Sequence, residues 1–375
     1  MQQNNPGLPI INPRKLLDEC GEQALADLLR GTGYVIQRGM LRDLCHVLRS
    51  GLPWLIEGPR GGGKTALAEA LAEACNLPMF YLQGMEGLTL ADVLYDWDRE
   101  AQTQWVRQAI AMGSGLEEAR ASQWTREFLL LGEALAAYET AAEQDAVPIL
   151  ICDEFDKVSE KIEDMLLQLF ARGYAHIPRF GEIGVRDQSG KSAHWPVVIL
   201  LSNDQRHDLS SPMRSRCLYS WLPPPAPREE VRILKARCPQ ASRLLLGKMV
   251  RLINAVRGLP GITDRPGLRE SISLLRALTD EGRDDLCIDE IEQHLCFLAR
   301  RRLDLEVDRL VPGGLRAGED RQAGLHEIQG YCHRDCGGGR GRTKVCRKST
   351  SSGDALHPDI PAEGYFPPVT RGPGT

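Results

Sequence analysis

The sequence predicts an α/β fold: a five-stranded parallel sheet with helices on both faces, followed by a small all-helical lid. Three observations predict it. Short, almost wholly apolar runs recur at Trp54–Glu57, Pro78–Leu82, Val147–Cys152, Trp195–Asn203 and Leu218–Leu222. Strands apolar along their whole length belong to sheets buried on both faces. Segments of helical periodicity separate these runs, as crossover connections require. After the proline run Pro223–Pro227, a stiff linker, only helix-like segments follow, at roughly 228–238, 241–257, 267–280 and 288–302.

Taken in order, residues 1–33 begin Pro/Asn-rich, turn weakly helical and read as an N-terminal extension with no assigned role. Met40–Leu48 reads as an amphipathic helix feeding the first strand. Leu67, Ala70, Leu71 and Ala74 give the next helix its apolar face. An insert of about 83–146 separates the second strand from the third and holds a long Ala/Glu/Leu-rich helical run. Its apolar Leu88, Leu90, Val93, Leu94, Tyr95 and Trp97 suit either partner contact or packing on the core. Ile162, Met165, Leu166, Leu169 and Phe170 form a further helical stripe. The α/β unit thus spans 34–224 and the lid 225–305, where Leu268, Ile272, Leu275 and Leu278 share a face.

From 306 the pattern ends in Gly, Pro and Ser, and this tail reads as disordered. A shifted reading frame would produce the same abrupt change, and resequencing the source DNA tests that. Cys332, His333, Cys336 and Cys346 lack the regular second half-site of a zinc centre.

The chemistry concentrates at strand ends. Gly58-Pro59-Arg60-Gly61-Gly62-Gly63-Lys64-Thr65, with Ala66 behind it, follows a strand and opens a helix. That is the G-x-x-x-x-G-K-[ST] pattern in its proper context. Its backbone N–H groups suit phosphate oxygens, Lys64 the β- and γ-phosphates, and Thr65 a Mg²⁺ ion. Asp153 and Glu154 end the third strand, where open α/β sheets bind ligands. Asp153 suits the metal and Glu154 a general base for water. Asn203 ends the next strand, within reach of that water. Arg214 and Arg216 lie in a turn before the last strand, and Arg269 near the start of the third lid helix; arginine suits charge on a transferring phosphoryl group.

Composition narrows the alternatives. A net charge of −5 over 375 residues gives no general drive toward nucleic acid. No segment approaches the ~20 apolar residues of a membrane span, and the polar N-terminus has no signal-peptide core. The 11 cysteines are odd in number and irregularly spaced. Among them Cys75, Cys152, Cys217, Cys287 and Cys296 fall in apparent helices and strands and read as buried free thiols of a cytoplasmic protein.

From Tyr34 to Arg302 these motifs, in this order, resemble the AAA+ ATPases. Three further stretches are similar to the MoxR branch: Leu82–Trp97, Ala175–Gly181 and Arg216–Leu222. The resemblance implies ATP and Mg²⁺ bound between sheet and lid, with Asn203 as sensor one and Arg269 as sensor two. It also implies an arginine finger at Arg216, with Arg214 as the alternative. It implies a homo-oligomeric ring, usually a hexamer, that works on a protein client with a von Willebrand factor A-domain partner. Arg60 departs from the usual small residue or proline. The competing expectations are a slow nucleotide-gated switch and a clamp-loader-like module on DNA. The acidic balance disfavours DNA, and the basic run Arg340–Lys348 reads as solvated. A small-molecule kinase is disfavoured by the arginine turn, the lid and the acidic pair.

Overall fold

The computed structural model describes residues 5, 7–143, 147–185, 195–203, 209–258, 265–286 and 294–298. Its elements run α1 (Pro13–Gly31), α2 (Arg38–Ser50), β1 (Trp54–Glu57), α3 (Lys64–Cys75) and β2 (Met79–Gln83). Next come α4 (Leu90–Val93), β3 (Tyr95–Trp97), α5 (Arg99–Ala111), α6 (Leu116–Ala121), β4 (Leu129–Leu131) and α7 (Glu133–Glu143). Then follow β5 (Ile149–Asp153), α8 (Glu160–Arg172), β6 (Tyr174–Ile177), β7 (Gly181–Gly184), β8 (Val197–Ser202), α9 (Ser211–Ser215) and β9 (Leu218–Trp221). Three further helices follow, α10 (Pro227–Arg237), α11 (Arg243–Gly258) and α12 (Leu268–Asp280), and then a short 3₁₀ turn (Leu295–Phe297).

The central sheet has five parallel strands in the order β2-β5-β8-β1-β9. All five coincide with the apolar runs of the sequence. Alternate residues along each strand enter opposite cores. Trp54, Ile56, Ile149, Ile151, Val197, Ile199 and Leu201 pack with α1, α2 and α3. Leu55, Leu150, Cys152, Val198 and Leu200 pack with α7 and α8. This parity decides which face each strand-end side chain meets.

The N-terminal extension, without a role on sequence, belongs to the first of these cores. Leu17, Leu25 and Leu29 of α1 are buried there. Asn12 caps α1 by accepting from the Arg14 and Lys15 amides.

The long helical run expected in the insert is instead broken into α5, α6 and α7, with β4, paired antiparallel to β3, between α6 and α7. The chain before α7 runs close against the end of α4. A Cβ on Gly132 would lie 2.5 Å from the Val93 carbonyl carbon and 2.6 Å from Asp92 O. Val93, Leu94 and Trp97 are buried in the core, and Leu88 and Tyr95 pack against it, which favours the packing reading for those five. Leu90 remains exposed. The hairpin β6–β7 joins this layer: Phe180 meets Trp97 edge-on at 6.2 Å, and Arg179 stacks over Trp124 at 4.7 Å.

Helices α10, α11 and α12 bury a separate apolar cluster including Leu234, Leu245, Met249, Ile253, Leu275 and Leu278. At its centre the fully buried Glu230 accepts from Arg257 Nη1 at 2.8 Å and Nη2 at 2.9 Å, and from Ser271 Oγ at 3.2 Å. One carboxylate so ties all three helices together.

Among the described cysteines, Cys45, Cys75, Cys152 and Cys238 are buried free thiols and Cys217 is half-buried. Cys20 and Cys296 are exposed, so Cys296 departs from the buried reading. Cys287, most of the fourth lid segment, the tail, its Cys/His group and its basic run lie outside the described residues. Among the described residues no helix is long and apolar enough to cross a membrane.

Candidate functional site

A cleft of about 1430 Å³ opens at the carboxyl ends of the central strands. It is lined by the phosphate loop, the ends of β2, β5 and β8, the segment around Tyr34, and residues of α10 and α12. Six cationic side chains face it (Arg60, Lys64, Lys157, Arg237, Arg269, Arg276) against four carboxylates (Glu69, Glu86, Asp153, Glu154). Such a balance favours a polyanionic ligand.

The loop curls because Gly61 (φ 70°) and Gly63 (φ 92°) take left-handed backbone, and Gly63 is the N-cap of α3. Lys64 is buried and turns back under the loop. Its Nζ donates to Gly58 O at 2.8 Å, Pro59 O at 3.0 Å and Asn203 Oδ1 at 2.9 Å. Burial lowers the Lys64 pKa, while Asp153 and Asp156 act to raise it. Asn203 is itself anchored, its N–H donating to the buried Asp156 at 3.3 Å.

Strand parity brings Asp153 to the α3 side of the sheet, where Thr65 Oγ1 donates to its Oδ2 at 2.9 Å. One hydroxyl and one carboxylate are the sparse oxygen set that suits Mg²⁺, which keeps several waters and leans on phosphates. Among the described residues no group of three or more His, Cys, Asp or Glu is arranged to hold an ion.

Glu154 sits in left-handed backbone, φ 51° and ψ 42°. For a non-glycine residue that costs on the order of 1 kcal/mol or more, and such strain gathers at functional positions. Its Oε2 accepts from Gln83 Nε2 at 2.8 Å and pairs with Lys157. Gly84 lies against this turn: its N–H donates to Asp153 O at 2.7 Å, and a Cβ there would stand 2.2 Å from Glu154 O.

The lid touches the loop directly. Leu268 N–H, at the start of α12, donates to Gly61 O at 3.1 Å. Arg269 is exposed and lines the cleft, and Arg276 follows two turns later on the same helix. Arg60 is likewise exposed at the cleft wall.

The arginine turn is elsewhere. Arg214, in α9, reaches the buried Glu57 of β1 at 3.4 Å. Arg216 is exposed, donates to Pro212 O at 3.1 Å, and lines a different cavity of about 540 Å³ with Arg14, Leu48 and Trp195. Neither arginine lines the phosphate-loop cleft.

The structure therefore brings together Gly58–Ala66, Asp153, Glu154, Asn203 and Arg269, and leaves Arg214 and Arg216 apart. Sequence reasoning missed Tyr81, Gln83, Gly84, Lys157, Tyr34, Glu69, Arg237 and Arg276. Period-two parity along β2 carries a signal for Tyr81 and Gln83, since both fall on the face opposite Phe80 and Leu82. Nothing local marks Tyr34 or Arg237, which reach the cleft only through tertiary packing.

A phosphate loop under a strand-end carboxylate pair, on this strand order, defines a P-loop nucleoside-triphosphatase core. Residues 53–217 match the family model described as AAA domain (dynein-related subfamily). The likeness to AAA domains thus covers the α/β segment that carries the phosphate loop and the acidic pair. Over 316 residues the chain is 24% identical to the gas vesicle ATPase GvpN of Ancylobacter aquaticus, covering 79% of this chain and 81% of that one. Among solved structures, a RuvB mutant of Thermotoga maritima is 19% identical over 70% of each chain, with a TM-score of 0.41. The Thermotoga maritima RuvB Holliday junction branch migration motor is 17% identical over 75% of this chain and 70% of that one, with a TM-score of 0.39.

Proposed function

We propose that this protein is a Mg²⁺-dependent ATPase of MoxR type that works in an oligomeric ring to remodel a protein client. The observation that carries the ATPase reading is the convergence of Lys64, Thr65, Asp153 and Asn203 within hydrogen-bond distance at the strand ends. The loop amides and Lys64 bind the phosphates. Thr65 and Asp153 would hold Mg²⁺, which would supply positive charge beside the phosphates. Glu154 takes the proton of the attacking water, and Asn203 holds that water's neighbours in place. Arg269 contacts phosphate from the lid, and Arg60 adds a contact at the loop.

The ring reading rests on Arg216. It is exposed, and it lines a different cavity from the one the phosphate loop lines. Supplied to a neighbour's cleft, it would complete that site, so activity depends on assembly. Arg214 fits a structural role, because the buried Glu57 holds it. The von Willebrand factor A-domain partner and the protein client rest on the MoxR-like stretches. The gas vesicle ATPase likeness supports the same broad class, and the free thiols suit the cytoplasm.

One observation favours a slow, gated version of this activity. Glu154 Oε2 takes both the Gln83 amide and the Lys157 ammonium, so the base must shed contacts before it acts. Steady-state ATPase rate per subunit against protein concentration, for the wild type and Glu154→Gln, tests the proposal. A rate that climbs with concentration and vanishes in the variant supports a ring with shared sites. A flat, very low rate supports the gated switch, and no hydrolysis under any condition defeats the reading.

A further inference from the structure

The roles assigned to the ATP site leave one side chain at the strand ends unused. Tyr81 lies on β2, beside β5, two residues before the pair Gln83↔Asp153. Parity turns Tyr81, Gln83 and Asp153 to one face of the sheet. Tyr81 is 39% exposed and belongs to neither hydrophobic cluster of the sheet, so core packing does not explain an aromatic there.

Its hydroxyl does find partners. The Tyr81 oxygen is 2.9 Å from Asp153 Oδ2 and 3.0 Å from Gln83 Oε1. Both are acceptors, and a phenol has one proton, so it donates to one of them at a time. The far end of the Gln83 carboxamide is already committed, because its Nε2 donates to Glu154 Oε2 at 2.8 Å. Asp153 is gripped from three sides: Thr65 and Tyr81 hydroxyls at Oδ2, and the Glu154 N–H at Oδ1, 2.8 Å away. A chain of close polar contacts thus runs Thr65–Asp153–Tyr81–Gln83–Glu154, in which the single Tyr81 proton closes one of its two links at a time.

We propose, resting on the ATP-site reading, that Tyr81 is a positioning residue that fixes the Asp153 carboxylate for Mg²⁺ and links it, through Gln83, to Glu154. The phenol's bond to Asp153 Oδ2 holds the carboxylate in one orientation, with its remaining lone pairs set toward a hydrated ion. Phenylalanine would keep the ring and free the carboxylate to turn away, a loss that is felt only when Mg²⁺ has to be held.

The test is binding of a fluorescent ATP analogue to the full chain, in EDTA and with Mg²⁺, for the wild type and Tyr81→Phe. A hydrogen bond to a charged group is worth enough to change affinity about tenfold. The variant is expected to match the wild type within about twofold in EDTA, while the affinity gained on adding Mg²⁺ falls about tenfold. An unchanged Mg²⁺ gain overturns the proposal. An equal loss in EDTA and in Mg²⁺ also overturns it, since that makes Tyr81 a support of the loop or the fold. A wild type that binds no nucleotide in either condition sinks the ATP-site reading itself, and the two failures are thereby distinct.

Discussion

Lys64 Nζ lies 2.9 Å from Asn203 Oδ1, joining the phosphate loop to the end of β8 across 139 residues of chain. The same ammonium holds the Gly58 and Pro59 carbonyls, so in this state it braces the loop from beneath. A phosphate group competes with three oxygens for one lysine. Loss of the lysine removes both the brace and the cation.

Lys64→Ala is therefore expected to weaken ATP binding by at least about 100-fold, because charge-assisted hydrogen bonds and the loop geometry go together. Equilibrium binding in Mg²⁺ measures it. Tight ATP binding by the variant would remove Lys64 from the phosphate site.

Glu154→Gln keeps the side-chain length and leaves Thr65 and Asp153 in place. Nucleotide affinity should stay near the wild-type value, while turnover falls about 10²–10⁴-fold for loss of a general base. Single-turnover hydrolysis beside a binding titration separates the two quantities. A variant that still turns over at the wild-type rate would exclude Glu154 as the base.

Gly84→Ala forces a methyl against Glu154 O and Asp153 O, with ideal separations of 2.2 and 2.8 Å. Those are backbone atoms at a strained turn and have little room to move. The substitution should cost about 1–3 kcal/mol of stability and lower turnover as the carboxylates shift. Chemical denaturation midpoints and ATPase rates report both, and a fully stable, fully active variant would contradict this close approach.

The two arginines of the turn should separate cleanly. Arg214→Ala strands the buried Glu57 carboxylate and is expected to cost about 1–3 kcal/mol of stability. Arg216→Ala should leave stability unchanged and reduce ATPase activity by roughly 10³-fold. Mixing Arg216→Ala with Glu154→Gln should restore part of the rate if the arginine serves an adjacent copy. No restoration at any mixing ratio counts against action between subunits.

Burial pushes the Cys45 thiol up to about 11 and the Cys75 and Cys217 thiols up to about 12, from an ordinary 9.0. Raised folded values mean that these thiols ionise first in the unfolded chain. Their contribution to stability is fully present below pH 9 and is lost as pH climbs toward 11–12. Stability against pH should therefore fall above 9. At neutral pH, site-resolved alkylation should mark Cys20 and Cys296 and spare these three until the protein unfolds.

The sequence by itself determined the five strands, their helical partners and the loop that ends β1. The reason is local: wholly apolar runs must be buried on both faces, and Gly61 and Gly63 allow the backbone its turn before Lys64. It also marked Asp153, Glu154 and Asn203, because residues that directly follow an apolar strand emerge at its carboxyl end. The tertiary structure alone decided what faces them. Tyr81 and Gln83 meet Asp153 and Glu154 through the register of β2 on β5. Arg214 is taken by Glu57, 157 residues away, while Arg216 stays exposed. Such pairings depend on strand order and parity, which bring distant residues within a few ångströms, and no short window of sequence encodes them.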